Sequence, residues 1–425
     1  MPRRKWRLCG GLLLAAGCLA QTATSQLALT WQETVGRFKA NNPTLLAGQF
    51  NVDESRADEI TAYLRPNPDF TFTADGLQIY PHEGVWQPFA GVLFTPAVSY
   101  LHERERKREL RLASAQQATA IAISTQADLE RTLIYTLRDA FVRVLTAKAV
   151  LTVAKDNLAY YDKEIDINRE RFNAGAISKA DFQRVELQRI QYESDLQTAE
   201  VNLRTAKIDL LALLRDHTPV NEFDVEAPFE FSRVTISLPE LRQTALGTRP
   251  DLKEAQQSLE KARTDHQLAV ANGSADPTFS AWYTHNGSFA NPNAYNTVGG
   301  SVSIPLRIFD RNQGEKLHTQ LDITRNQRLV DAAETTALHD VDSAYATVQS
   351  TLTLLQPYKE KYLKEAEEVR DTVSFAYQHG AASLLDFLDA QKEYRDTQLN
   401  YVNLVGSYLS AANQLNLAVG REVIQ

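Results

Sequence analysis

Phe172-Asn173-Ala174-Gly175-Ala176-Ile177-Ser178-Lys179-Ala180-Asp181-Phe182 returns 205 residues later as Tyr377-Gln378-His379-Gly380-Ala381-Ala382-Ser383-Leu384-Leu385-Asp386-Phe387. In each copy an aromatic ring precedes a glycine by three residues, and a serine then precedes an aspartate by three. Glycine tolerates the left-handed conformation with which a helix ends. Serine with an acid three residues on has the form of a capping box that opens the next helix. Each copy therefore reads as the reversal of a helical hairpin. A second pair, Asn42-Pro43-Thr44-Leu45 and Arg249-Pro250-Asp251-Leu252, is offset by 207 residues and opens two similar helical segments. Matching order at nearly constant offset identifies an internal duplication. Each half reads as a helix, two strands with a loop between them, and two very long helices joined at a glycine.

Outward from the glycines, the helices are long. Between Ala97 and Thr218 there is no proline and one glycine, Gly175. Leu133, Leu137, Ala140, Val144, Ala147, Leu151, Ala154, Leu158, Tyr161 and Ile165 alternate steps of four and three. Beyond the turn, Tyr192, Leu196, Ala199, Leu203, Ala206, Leu210 and Leu213 continue the pattern, and Tyr401, Leu404, Tyr408, Ala411, Leu415 and Ala418 repeat it in the second half. A sustained seven-residue repeat with interspersed alanines predicts closely packed coiled coils. Leu110 to Asn173 alone would reach roughly 95 Å. A spectrin-like or filamentous coiled coil shares these features, so the helices by themselves leave that alternative open.

The segments between the helices argue against it. Phe70, Phe72 and Ala74 alternate with Thr71, Thr73 and Asp75, while Val92, Phe94, Val98 and Tyr100 share one parity with Pro96. In the second half Phe279, Ala281 and Tyr283 alternate with Ser280, Trp282 and Thr284. Val298, Gly300, Val302, Ile304, Leu306 and Ile308 then alternate with Gly299, Ser301, Ser303, Pro305 and Arg307. Such period-two segments, apolar on one face and small or polar on the other, fit transmembrane β-strands. Tyr80, Trp86, Phe89, Trp282, Tyr283, Phe289 and Tyr295 crowd the strand ends, as an interfacial aromatic girdle would. A soluble hairpin with one buried face is the alternative. Four strands cannot close a barrel, and lipid tolerates no open edge. Strands that span the membrane must therefore be pooled by an oligomer.

Composition bounds the rest. The 425 residues are 23% charged and 43% hydrophobic, so the chain is neither disordered nor a bundle of apolar spans. Eighteen glycines and 15 prolines leave room for long uninterrupted elements. A net charge of −8 argues against a nucleic-acid partner. Arg3, Arg4, Lys5 and Arg7 precede the apolar run Leu12 to Ala16, the order of an export signal over residues 1–20. Cleavage after Ala20 competes with a lipoprotein reading, in which residues 1–17 are removed and Cys18 becomes acylated. With Cys9 and Cys18 the only cysteines, a disulfide scaffold or Cys-based zinc site in the body is excluded.

On the duplication, the two Pro-Leu helix openings and both glycine turns, the chain resembles the TolC-like outer-membrane efflux family over essentially its whole mature length. Ser303-Ile304-Pro305-Leu306-Arg307-Ile308-Phe309-Asp310-Arg311-Asn312-Gln313-Gly314 resembles the segment after the fourth strand in the heavy-metal efflux branch. The corresponding first-half segment keeps Lys107-Arg108 but lacks that branch's glycine-rich turn. The resemblance implies a fold that is mainly α with a transmembrane β-barrel portion. In it a homotrimeric channel has one shared 12-stranded β-barrel and a long α-helical coiled-coil barrel in the periplasm. It further implies a first repeat at 27–215, an equatorial region at 216–248, a second repeat at 249–420 and a tail at 421–425. A periplasmic adaptor, an inner-membrane pump and outer-membrane lipid are the implied partners.

The same resemblance puts Asp386 and Asp389, with Asp181, at a periplasmic gate. Asp389 lies one turn past Asp386, so both project from one helix face. Three chains would bring six such carboxylates to one narrow opening, a ring that favours cations and blocks passage by mutual repulsion until the helices move apart. Capping alone also accounts for Asp181 and Asp386. The turns themselves, Gly175 with Ser178 and Gly380 with Ser383, would meet the adaptor. The family's basic latch residue is replaced by Ala382.

Other chemistry is sparse. The eight histidines do not pair with one another at ligand spacing, and His379 beside the tip glycine reads as a solvated turn residue or a lumenal one. With Met1 the only methionine, there is no methionine relay for copper. No phosphate loop, nucleophile elbow or catalytic carboxylate pair is present, so neither an enzyme nor a cofactor is expected. The sequence therefore predicts a passive exit duct for metal ions, with drugs and secreted protein as alternative cargoes. A periplasmic coiled-coil scaffold is the alternative of a different class.

Overall fold

A computed structural model describes residues 27–81, 83–89, 91–232, 235–286 and 295–424. The export signal with Cys9 and Cys18, and also His82 and Phe289, lie outside the described residues. Each half begins with a short helix and a longer one that shares its cap. In the first half these are α1 (Trp31–Asn41) and α2 (Pro43–Tyr63); in the second, α5 (Leu238–Thr248) and α6 (Pro250–Asn272). Proline at the first helical position suits both longer helices, because that N–H has no partner inside a helix. Asn42 caps α2 by accepting from the N–H groups of Thr44 and Leu45, each at 3.0 Å. Arg249 holds the same place before α6 by other means. Its buried guanidinium donates to Asp251 at 2.6 Å, Asp340 at 2.9 Å and the Ala418 carbonyl at 3.1 Å.

The long helices follow. Helix α3 (Lys107–Asn173) runs unbroken for 67 residues, roughly 100 Å, and returns as α4 (Lys179–Leu214). In the second half α7 (Gln313–Pro357) gives way to a π-helical turn at Tyr358–Tyr362 before α8 (Leu363–Gln378), and α9 (Leu384–Val419) returns. Pro357 lacks an N–H and crowds the preceding turn, which accounts for the interruption that the halves do not share. Leu137, Ala140, Val144, Ala154, Tyr161 and Ile165 of the predicted stripe are buried, as are Tyr192, Ala199, Leu210, Tyr408, Ala411, Leu415 and Ala418. Each half has its own apolar core. One gathers α5, α7 and α9; the other gathers α1, α3 and α4 with two short parallel strands, β1 (Leu27–Leu29) and β4 (Phe223–Val225).

Residues after α4 pack back onto α3 and α4. Lys148 donates to Asp224 at 2.7 Å and to the Val225 carbonyl at 2.9 Å, and Lys207 donates to the Phe223 carbonyl at 2.7 Å. The C-terminal tail docks beside this region. Asn416 donates to the Ile424 carbonyl at 2.7 Å and accepts from Val423 and Ile424 at 2.7 and 2.9 Å.

At one end of the bundle, β2 (Asp69–Asp75), β3 (Leu93–Leu101), β5 (Thr278–Asn286) and β6 (Asn296–Ser303) form one antiparallel sheet in the order β2-β3-β5-β6. The register pairs Phe70 with Val98, Val98 with Ala281, and Tyr100 with Phe279, which in turn faces Val302. Directly opposed residues share a face, so the predicted apolar set lines one side. Ser99, Ser280 and Ser301 line the other. Pro96 is accommodated because the β3–β5 ladder skips it, and a hydroxyl contact at 3.2 Å between Thr95 and Thr284 fills the gap. Gly299 has no side chain where the Trp282 ring lies, 2.5 Å from the position a Cβ would take. The alternation that predicts a strand through Ile308 is cut short. β6 stops at Ser303, since Pro305 has no N–H to offer a ladder.

Candidate functional site

The two hairpin tips are built by the same backbone bonds. Gly175 at φ +72° and Gly380 at φ +75° are left-handed, and open space surrounds both, so conformation rather than room requires glycine there. Across the first turn the Ala176 N–H reaches the Arg171 carbonyl at 2.8 Å. Across the second the Ala381 N–H reaches the Ala376 carbonyl at 2.8 Å. This pairing takes up carbonyls that a helix end leaves bare.

The three predicted acids divide by environment. Ser178 Oγ donates to Asp181 at 2.7 Å and accepts from its N–H at 3.0 Å. Ser383 and Asp386 do the same at 2.7 and 3.2 Å, and the Ser383 N–H adds a bond to the Asp386 carboxylate at 3.0 Å. The Ser383 hydroxyl, with its N–H, holds the Asp386 carboxyl below the usual carboxylate range. Asp389 is exposed and makes no hydrogen bond or ion pair among the described residues. Asp386 and Asp389 thus stand on one exposed helix face, one tied to its cap and the other free. Asp181, on the other hairpin, is half-buried, and its charge acts on the Tyr377 hydroxyl of the second tip. His379 folds back on its own helix, with Nδ1 2.8 Å from the Phe375 carbonyl and its ring against that of Phe375.

A polar seam joining the two hairpins was not anticipated. Arg171 of α3 donates to the Tyr377 carbonyl at 3.1 Å and lies over the Tyr377 ring at 4.6 Å. That ring stacks in turn on Phe387. Above it, Gln378 reaches the Glu164 carboxylate at 3.5 Å. Burial raises the Glu164 pKa, opposed by hydrogen bonds from Tyr160 and Gln378. Arg370 of α8 is buried between the rings of Tyr160 and Tyr394, at 4.4 and 4.0 Å, and pairs with Asp371 at 2.7 Å. Gln391 donates to Ser374 at 3.0 Å. Apolar packing crosses the seam at Leu384, which rests on the cluster of Tyr161, Ile165, Val185 and Tyr192. The signal for this seam was present. At the spacing of the apolar stripe, Tyr161 is followed by Glu164, Asn168 and Arg171, so the stripe turns polar as it nears the tip. Tyr377 is reached from Arg370 and Ser374 in the same way.

Among the described residues no three His, Cys, Asp or Glu side chains converge on a cation position, and no helix is long and apolar enough to cross a membrane. The sheet is the feature suited to lipid: Phe70, Phe72, Val98, Phe279, Val298 and Val302 are all exposed on it.

Residues 34–214 and 241–421, the two halves, match the family model for outer membrane efflux protein. The chain is 23% identical to cobalt-zinc-cadmium resistance protein CzcC of Cupriavidus metallidurans, over 92% of its own length and 90% of that protein's. The solved structure of CusC superposes with a TM-score of 0.74 at 18% identity, covering 95% of this chain and 96% of that one. The outer membrane protein VceC of Vibrio cholerae gives 0.73 at 16% identity, covering 92% and 96%. At these identities the structural likeness is one of fold.

Proposed function

Because the chain belongs to the outer membrane efflux protein family, whose members are channels of the outer membrane that extend into the periplasm, we propose that it is the passive exit channel of a tripartite efflux system. The observation that carries this reading is the four-stranded sheet, whose β2 and β6 are open edges among the described residues and whose one face exposes Phe70, Phe72, Val98, Phe279, Val298 and Val302. Neither an open edge nor an unclosed sheet is tolerated in lipid. Three copies would pair β6 of each chain with β2 of the next and close a 12-stranded barrel. The helices then continue the duct for roughly 100 Å into the periplasm. Energy and selectivity would come from a pump and adaptor that meet the tips at Gly175, Ser178, Gly380 and Ser383.

Metal ions are the proposed cargo. The support is the likeness to a cobalt-zinc-cadmium resistance protein over nearly the whole chain, together with the segment Ser303 to Gly314. At the tips, three copies of Asp386 and Asp389, with Asp181 behind them, would form an acidic aperture. The polar seam offers a way to hold it shut without a basic residue at Ala382. Arg171, Glu164 and Arg370 tie the second hairpin to the first with bonds that water can replace, beside the apolar contact at Leu384.

The protein purified in detergent is expected to be a trimer and to conduct ions in planar bilayers. A monomer that does not conduct would overturn the proposal.

A further inference from the structure

The hairpins meet again roughly 25 Å up the helices from the glycine turns. There a cavity of about 160 Å³ lies between Ala154 and Asn157 of α3, Tyr192 and Asp195 of α4, and Arg395 and Leu399 of α9. Asn157 is only 8% exposed, and its Nδ2 finds no acceptor. Asp195 Oδ2 and Arg395 Nη1 are likewise buried without a hydrogen-bond partner. They face each other at 3.5 Å, an ion pair too long to satisfy either atom. The remaining atoms of these groups are engaged. Arg395 Nε and Nη2 donate to Asp396 at 3.1 and 2.9 Å, and Asp195 Oδ1 accepts from Gln191 at 2.8 Å. Buried polar groups in folded proteins rarely lack partners, and three in one cavity call for an occupant.

We propose that this cavity is a water site that joins the two hairpins. The donor set selects the occupant. Arg395 contributes one positive charge against the two carboxylates of Asp195 and Asp396, so an anion is repelled. The N–H groups of Asn157 and Arg395 oppose a cation. Water accepts from both and donates to Asp195. At about 30 Å³ per molecule the space takes roughly five waters. The cavity shares Val150, Ala199, Asn202 and Leu399 with a larger groove of about 860 Å³, through which the waters exchange with solvent. A contact bridged by water parts without stripping dry apolar surface. On the gated-channel reading this makes the site a joint about which the second hairpin moves; the water site itself does not depend on that reading.

Hydroxyl-radical footprinting by synchrotron radiolysis, read by mass spectrometry on the purified full chain, tests it. Tyr192 is 3% exposed and lines the cavity, while Tyr161, fully buried and stacked on it at 4.5 Å, does not. Bound water should label Tyr192 several-fold faster than Tyr161. Asn157→Leu should bring the two rates together. Equally slow labelling of both tyrosines in the unmodified protein overturns the proposal, and this comparison needs no variant to fold. Replacing sodium and potassium by choline should leave the labelling and Tm unchanged. A change in either would identify a bound cation, with the Asn157 amide turned, and overturn the assignment to water.

Discussion

Asp386 and Asp389 illustrate how much a single side chain's role depends on its partners. The Ser383 hydroxyl and N–H hold Asp386 charged to lower pH than an ordinary carboxylate. Its contribution to the helix start is therefore present at neutral pH and lost as pH falls through its lowered pKa. Asp389 has no such tie. Replacing both by alanine should raise single-channel conductance and weaken block by multivalent cations in planar bilayers. Unchanged conductance and unchanged block would leave both acids with structural roles alone. The glycine turns and Ser-x-x-Asp caps were legible from the sequence because their causes are local: one backbone conformation and two bonds spanning three residues. Asp389's isolation was not, because lacking a partner depends on everything that could have come near.

At the scale of helices, the polar seam joins the two hairpins near their tips. Glu164 sits in it, 5% exposed, with burial raising its pKa against the bonds from Tyr160 and Gln378. The folded state thus binds a proton more tightly than the unfolded one. Its contribution is largest at low pH and declines as pH rises from the ordinary carboxylate value of 4.5 through the raised one. Glu164→Gln should raise the thermal midpoint at pH 7 and flatten its pH dependence above the ordinary carboxylate value of 4.5, followed by circular dichroism. Parallel pH curves for the two proteins would show that the Glu164 charge is fully compensated in the seam. The heptads foretold which helices pack, because apolar spacing along one helix is enough for that. They did not reveal that Glu164 meets Gln378, or Arg370 the rings of Tyr160 and Tyr394. Those partners lie more than 200 residues apart in the chain, except for Tyr394, which comes from the returning helix of the same hairpin.

For the whole molecule, the open sheet edges and the length of the helices matter more than any one residue. An acidic chain of net charge −8 is compatible with the passage of cations, the cargo proposed above. Deleting the gene and growing cells on a panel of metals and organic toxicants should sensitise them to divalent metals first. Sensitivity confined to organic compounds would move the proposed cargo to drugs. The halves also differ where the duplication suggested equivalence. Pro357 interrupts the second ascending helix, Arg249 replaces the Asn42 cap, and β6 ends before Pro305.

What the sequence determined by itself was everything with a short-range cause. It specified the duplication, the alternation that makes strands, the stripe that makes long helices, and the glycines that turn them. Those follow from dihedral preference and from the periods of helix and strand, which act within a few residues. The tertiary structure decided which strands are neighbours, which edges stay open, and which charged side chains are paired in the seam. It also decided that Asn157, Asp195 and Arg395 share one cavity. These depend on distances between residues far apart in the chain, which only the folded packing sets.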